Sequence, residues 1–278
     1  DIPKLPPSLV INGYLNTDSS TVVIDLTQSD FILSEDDFKT ISEAEISLTE
    51  DGNSIGEFEE IREGIYKSNV KPAAGKTYGI TASKEGFETV TASSSIPIEE
   101  IDVLSFDFEK VERDGYTENL LKVKIQDPQA VANFYEIGIF HYEKAYDWET
   151  GEVIEGDSTL SFLYLSLEDT DFENSPEKFG ETVLVDDLFF NGLEYEFNVF
   201  FSDYYRFFGS EEEEEKTFYF TIRNASEEYY DYVRAIKIQN YNDGDPFAEP
   251  IIVNGNVQNG FGIFAGFNAS TFEVDLEN

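Results

Sequence analysis

An aromatic pair among carboxylates is the first feature of this sequence that could do chemistry. Tyr146 and Trp148 flank Asp147, and Glu149 follows directly. An aromatic ring can stack on the apolar face of a sugar while neighbouring acids accept hydrogen bonds from its hydroxyl groups. Because a loop tryptophan is more often a packing anchor, ligand contact and packing both stay open for Trp148 and Tyr146.

A second aromatic stretch covers Phe197–Phe208 and includes Tyr204, Tyr205 and Phe207. Alternation along a strand would bury one face of this stretch and expose the other. Exposed aromatic side chains at a sheet edge mark interfaces. The stretch therefore predicts ligand or partner contact at these three residues, and a strand buried on both faces is the alternative.

Acidic clusters are candidate calcium sites, because Ca²⁺ is bound by oxygen ligands. We favour Asn242, Asp243 and Asp245, since Gly244 between them permits a tight turn. No cluster fits the EF-hand pattern, and chance clusters are expected among 58 acidic residues. Calcium is therefore the only cofactor that the sequence suggests, and we expect no other cofactor.

Catalysis finds little support in the residue types. The chain has no cysteine and one histidine, His141, which excludes a thiolate nucleophile, a cysteine-ligated metal and a site built from several histidines. A carboxylate pair could hydrolyse a glycoside, but no motif singles one out. We expect no catalytic residues and no enzyme activity, and we interpret His141 as structural.

The charge excludes other partners. With 58 acidic and 18 basic residues, the net charge is −40, and such a surface repels phosphate backbones and anionic lipid headgroups. We therefore expect no nucleic-acid partner. Aromatic residues make up 15% of the chain, which favours a folded protein over a disordered acidic one.

The elements that must position these residues are mostly strands. Short β-branched and aromatic runs alternate with turn signals such as Asp51-Gly52 and Asn191-Gly192, a pattern typical of sandwiches. We predict an all-β fold with two β-sandwich-like domains of transthyretin or immunoglobulin type. A proline-rich tether (1–8) precedes an N-terminal domain (9–97) and a C-terminal β-rich domain (98–278).

One segment, residues 226–239, predicts an amphipathic helix near the C-terminus. Its apolar residues follow a 3.6-residue period: Tyr229, Tyr232, Val233 and Ile236. Ser226 is a suitable N-cap. Glu227 and Glu228 occupy the first turn, where the helix dipole favours negative charge.

Several short motifs occur in a recognisable order along the chain. They are LVING at 9–13, Asp127-Pro128 with NFYEI at 133–137, DDLFFNGLEY at 186–195, YYDYV at 229–233, DPFAEP at 245–250 and NVQNGFGIF at 256–264. The ordered set resembles a family of Bacteroidota outer-membrane lipoproteins that is catalogued only as domain of unknown function 4249. The motifs cover nearly the whole chain.

The resemblance implies a setting. Members are lipid-anchored outer-membrane proteins encoded beside TonB-dependent transporters, so a SusC-like transporter is the expected partner, and other outer-membrane lipoproteins are candidate partners. The chain starts at Asp1 without a methionine. We therefore expect a processed or truncated start, with the anchor on a cysteine that would precede the tether, and a protein that faces the cell exterior.

The resulting hypothesis is an accessory protein that assists nutrient capture or uptake without catalysis. An independent surface glycan-binding module that uses Trp148 is one alternative. A structural or assembly subunit of a larger outer-membrane complex is another.

A modification signal fits the same setting. The sequence Asp157-Ser158-Thr159 resembles the O-glycosylation sequon of Bacteroidota, and we predict that it lies in a surface loop. Ser158 and Thr159 are therefore candidate glycosylation sites.

Overall fold

A computed structural model describes residues 6–30, 39–98, 100–113, 115–129, 131–146, 153–167, 176–201, 217–243, 248–249 and 251–275. These residues are mostly strand, with one α-helix, α1 (Glu227–Asn242), and a short 3₁₀ helix (Pro176–Lys178). The predicted all-β fold with a single C-terminal helix is confirmed. None of the described helices is long and apolar enough to cross a membrane.

The strands follow one another along the whole chain. In order they are β1 (Leu9–Asn16), β2 (Val22–Gln28), β3 (Glu45–Glu50), β4 (Asn53–Glu57), β5 (Glu59–Arg62), β6 (Ile65–Ser68), β7 (Thr77–Ser83), β8 (Val90–Ser95), β9 (Asp102–Arg113), β10 (Tyr116–Gln126), β11 (Phe134–Tyr146), β12 (Val153–Phe162), β13 (Leu165–Leu167), β14 (Phe179–Gly180), β15 (Thr182–Asp186), β16 (Glu194–Phe201), β17 (Phe218–Ala225) and β18 (Phe261–Val274).

Two compact units divide the chain. Unit 1 comprises residues 1–99 and 224–269, and unit 2 comprises residues 100–223 and 270–278. The sequence pattern had assigned everything after residue 97 to one second domain, whereas here residues 224–269 group with the N-terminal part. Strand pairing explains the difference, because β18 lies parallel to β1 and pairs Val10 with Phe261. No local pattern encodes such a contact.

Unit 1 is a β-sandwich. One of its sheets has the strand order β18-β1-β2-β6-β5, and the other has the order β4-β3-β7-β8. Alternating apolar side chains from both sheets meet in one core, among them Ile11 and Ile24 from the first sheet and Leu48 and Ile80 from the second. The period-2 alternation that predicted these strands therefore marks their buried face.

The glycines of the NVQNGFGIF motif make room for the β1–β18 pairing. Gly262 has a φ of +98°, and a Cβ built on it would lie 2.0 Å from the backbone oxygen of Ile11. A side chain at residue 262 would therefore strain the backbone and collide with β1. Asn256 fastens the same segment, because its side chain accepts from the Phe264 N–H at 2.9 Å and donates to the Phe264 carbonyl at 2.7 Å.

Helix α1 packs through the apolar stripe that its sequence predicts, although it belongs to unit 1 and not to the predicted second domain. Ser226 is the N-cap, and its side chain accepts from the Tyr229 N–H. The Tyr229 ring contacts Tyr14 and Phe267 edge-on, with centroid distances of 5.5 and 5.4 Å. The helix ends three residues beyond the predicted Gln239, since its last residue is Asn242.

Unit 2 is a second sandwich. One layer contains β12, β11 and β17 in that order, with β15 also paired to β11, and the other has the order β14-β13-β16-β10-β9. Their facing side chains form one core that includes Val123, Ile137, Val199 and Phe220. The apolar and aromatic run Thr182–Phe190 predicts a single strand from the sequence, but β15 ends at Asp186 and a turn begins there.

Candidate functional site

The side of β11 that faces away from the unit 2 core carries a group of aromatic rings. Ile137 and Ile139 point into the core, so the even-numbered residues lie on the opposite face. There Phe140 pairs with Phe162 of β12, and Tyr142 pairs with Leu160. We call the set Phe140, Tyr142, Leu160, Phe162 and Tyr219 the aromatic face.

The rings of the aromatic face contact one another. Phe140 lies at the centre, 5.5 Å from both Phe162 and Tyr219 and 5.8 Å from Tyr142 between ring centroids. Phe140 is buried by these neighbours, whereas Tyr142 is 57% exposed and Leu160 is 53% exposed. The result is an apolar surface with a buried anchor and accessible rings.

A partly buried ion pair lies on the same face of β11, four residues before Phe140. The Arg223 guanidinium donates to Glu136 Oε2 at 2.6 Å, and the Thr182 hydroxyl donates to Glu136 Oε1 at 2.7 Å. Gly138 lies between the ion pair and the rings along β11. A Cβ built on Gly138 would lie 3.0 Å from the Phe162 ring, so the absence of a side chain leaves room for that ring. An accessible aromatic surface of this kind can bind a flat apolar ligand or the face of a sugar.

Of the five predicted aromatic site residues, only Tyr146 belongs to the described part of the chain. Tyr146 is the last residue of β11, and Trp148 lies outside the described residues, in the segment that joins β11 to β12. Tyr204, Tyr205 and Phe207 also lie outside them. The described part of the second aromatic stretch is core, because Phe197, Phe200 and Phe201 are all buried.

The other predicted site residues are the candidate glycosylation and calcium residues. Ser158 and Thr159 are exposed but belong to strand β12, paired with Lys144 and Glu143, so the predicted surface loop is wrong. The alternating run Ser158–Phe162 pairs with β11 instead. Asn242 ends α1 in unit 1, and Asp243 follows it. Asp245 lies outside the described residues, and within the described part of the chain no three acidic or histidine side chains cluster as metal ligands.

His141 is a core residue. It is 3% exposed, and its ring contacts Phe218 edge-on at 5.3 Å. Its Nε2 lies 3.4 Å from the Glu143 carboxylate. These contacts agree with the structural interpretation of the single histidine.

A second feature that the sequence did not reveal is a network of polar side chains, the polar hub. It consists of four buried residues, Asp127, Asn133, Tyr135 and Asp187, and the exposed Asn191. One oxygen of the Asp187 carboxylate accepts from the Asn133 backbone N–H at 2.9 Å and its amide at 3.2 Å, and from the Asn191 amide at 3.0 Å. The Asn191 amide also donates to the Val131 carbonyl at 2.9 Å. The hub thereby joins loop 127–133 to turn 187–193.

Asp127 forms the other half of the hub. Its carboxylate accepts from the Tyr135 hydroxyl, and from the Gly192 N–H at 2.7 Å. Burial raises the pKa of Asp127 above its ordinary value, although these two hydrogen bonds oppose the shift. Burial and the neighbouring carboxylate also raise the pKa of Tyr135. Gly192 adopts a φ of +76°, and a Cβ built on it would lie 3.0 Å from the Gln129 side chain. These two features explain why the Asn191-Gly192 pair has a glycine at this position.

Unit 1 also contains a groove of about 420 Å³ between α1 and residues 251–256. Its lining mixes Glu228, Asp231 and Arg234 from the helix with Ile251 and Ile252 from the facing segment. Among the described residues, the lining includes no hydroxyl or thiol nucleophile, and its two acids, Glu228 and Asp231, lie three residues apart on one helix. The groove therefore offers a mixed binding surface and no recognisable catalytic arrangement.

The polar hub gathers two of the motifs that the sequence displays. Asp127-Pro128 with NFYEI supplies one loop, and DDLFFNGLEY supplies the turn that it holds. A family described as a domain of unknown function (DUF4249) matches residues 1–273 of the chain. This chain belongs to the DUF4249 family. None of the proteins of curated function matches it. In this DUF4249 chain, the described motif residues hold loops and strand pairings in place.

Proposed function

We propose that this protein is a lipid-anchored accessory protein of the outer membrane that works with a TonB-dependent transporter. In this role it would hold cargo at the cell exterior and assist uptake without catalysing a reaction. The setting is taken from the lipoprotein resemblance, and the observation that carries a binding role is the aromatic face. Tyr142 and Leu160 are both more than half exposed on a rigid sheet, which is how a binding surface is presented.

Co-purification of the native lipoprotein tests the partner. The protein is extracted from its own cells in mild detergent, and the proteins that accompany it are identified and quantified. We expect a TonB-dependent transporter in near-equal amount. A preparation that contains no transporter contradicts the proposal.

A second candidate function is independent glycan binding, and the aromatic face favours it. An exposed tyrosine ring on a sheet can stack on a sugar, and a neutral sugar is not repelled by a chain of net charge −40. A glycan array with the wild type, Tyr142→Ala and Trp148→Ala tests this function. Binding that the Tyr142→Ala change removes supports it, and a wild type that binds no glycan contradicts it.

A further inference from the structure

Four large apolar side chains lie on the two loops that the polar hub joins. Val131 belongs to loop 127–133, and Leu188, Phe189 and Leu193 belong to turn 187–193. They are between 52% and 74% exposed. We call these four residues the apolar tip. Large apolar side chains grouped in this way on a soluble domain mark a surface that another molecule covers.

The tip is held rigidly from beneath. Between its exposed members, Phe190 is buried and stacks on Tyr195 with ring centroids 4.0 Å apart. The turn closes on itself, because the Phe190 N–H donates to the Asp187 carbonyl at 2.9 Å and the Leu193 N–H donates to the Phe190 carbonyl at 2.8 Å. A surface that is ordered before it binds loses little conformational entropy on binding.

The hub ties both loops at several points. The Asp187 N–H donates to the Asn133 carbonyl at 3.1 Å, and the Asp127 N–H donates to the Leu193 carbonyl at 3.0 Å. Together with the carboxylate contacts of Asp127 and Asp187, these bonds fix the backbone on either side of the exposed residues. Buried polar networks of this kind specify one local structure. The hydrogen bonds of the hub therefore maintain the shape of an exposed apolar surface that contact with water disfavours.

The charge of this protein favours some binding partners of the tip over others. Loop 127–133 and turn 187–193 contain no lysine or arginine, and the chain as a whole carries a net charge of −40. An anionic lipid surface attracts basic segments, so it would repel this one. A second copy of the chain would bring an equal negative charge. A protein surface with an apolar socket and a neutral or basic rim has neither disadvantage.

We infer that the apolar tip docks into an apolar socket on a protein partner, and that this partner is the outer-membrane transporter. The inference rests on the proposed function and assigns the contact to these four residues. The Leu188 and Phe189 side chains would enter the socket as the central anchors, because large apolar residues at the centre of an interface contribute most of the binding energy. The hub would remain out of contact and would hold the loops.

The test uses the full-length lipoprotein in its own cells. The tip variant combines Leu188→Ser with Phe189→Ser, and the matched control combines Leu104→Ser with Tyr116→Ser, two exposed apolar residues elsewhere in unit 2. Each protein is co-purified in mild detergent, and its melting temperature is measured separately. We expect the tip variant to have the same melting temperature as the control. We expect the amount of transporter that co-purifies with it to be at least ten-fold lower than the amount that co-purifies with the wild type.

The possible results separate failure of the docking inference from failure of the proposed function. If the tip variant folds and retains the transporter, the docking inference is wrong while the proposed function stands. If the wild type brings no transporter, both fail. The chain without its anchor is also floated with vesicles of neutral and of anionic lipid. Vesicle binding that the tip variant loses would show that a membrane covers the tip, and would overturn the inference.

If the tip variant does not fold, Val131→Ser alone replaces it. This residue lies in the other loop and contributes only its backbone carbonyl to the hub. A folded Val131→Ser protein that keeps the full amount of transporter would likewise count against docking through the tip.

Discussion

The apolar tip and the aromatic face expose similar side chains but are built in different ways. The aromatic face lies on paired strands, where the backbone hydrogen bonds of β11 and β12 hold its rings side by side. The tip lies on loops whose shape depends on two buried carboxylates. A sheet can change its outward residues without losing its hydrogen bonds, whereas the tip depends on particular side chains beneath it. The motifs accordingly include the hub residues, and the aromatic face has no motif of its own.

The largest expected effect concerns the hub. We expect Asp187→Ala to lower the free energy of unfolding by about 4 kcal/mol. The change leaves the buried Asn133 backbone N–H unpaired, which costs about 1–3 kcal/mol, and it removes the charged acceptor of the Asn133 and Asn191 side-chain amides. Denaturant unfolding measures the change. The adjacent Asp186→Ala is the control and should cost less than about 1 kcal/mol, since Asp186 accepts only the exposed Leu188 N–H. Equal losses in the two variants would contradict a special role of Asp187.

A smaller loss is expected at the centre of the aromatic face. Phe140→Ala removes the ring that Tyr142, Phe162 and Tyr219 surround, and it should cost about 3 kcal/mol, as large-to-small changes at buried aromatic residues do. Tyr142→Ala should cost under about 1 kcal/mol, because this ring is exposed. Similar unfolding curves for the two variants would mean that Phe140 is not the anchor of this surface.

The turn itself is the next target. Gly192→Ala should lower the free energy of unfolding by about 1–2 kcal/mol, since alanine at a φ of +76° is strained and its Cβ would meet Gln129 at 3.0 Å. The comparison is Gly86→Ala, where φ is +91° and no atom lies within 4 Å of the added Cβ. A larger loss at Gly86 than at Gly192 would show that contact with Gln129 is unimportant.

The smallest effect is the pH dependence of the hub. Burial raises the pKa of Asp127 in the folded protein above its ordinary value of 3.8. The stabilisation that this pKa shift contributes to the free energy of unfolding is therefore fully present below about pH 4. It is lost as the pH rises through the raised pKa. Relative to Asp127→Asn, the wild type should lose free energy of unfolding over this range. A difference between the two that stays constant from pH 3 to pH 8 would contradict the shift.

Local sequence signals predicted where the helix begins and which face of β1 is buried. Ser226 and the apolar stripe around Tyr229 predicted where α1 begins, because capping and helical periodicity act within a few residues. The alternation in β1 likewise predicted which of its side chains are buried. The end of α1 was predicted three residues too early, since Asn240 and Asn242 neither favour nor forbid a further turn.

The two surfaces could not be predicted because long-range pairing creates them. Phe140 and Phe162 become neighbours only when β11 and β12 pair. The predicted strand over 182–190 failed at Asp187, whose N–H donates to the carbonyl of Asn133, 54 positions away in the sequence. Aromatic stretches in the sequence indicated unit 2 as the place to look, but burial of Phe197 and Phe201 shows that such stretches more readily supply core.

The parallel pairing of β1 with β18 has a consequence for how the chain folds. Because Val10 pairs with Phe261, strand β1 must wait during synthesis for β18, which lies far along the chain, and contacts of such high sequence separation form slowly. Residues 100–223 of unit 2 lie between the two strands in the sequence, whereas residues 270–278 of unit 2 follow the part of β18 that pairs with β1. Until β18 has been made, one edge of β1 stays open to wrong partners. Pairing of this free edge with another chain is therefore the form of misassembly that the topology makes most accessible before the C-terminal segment arrives.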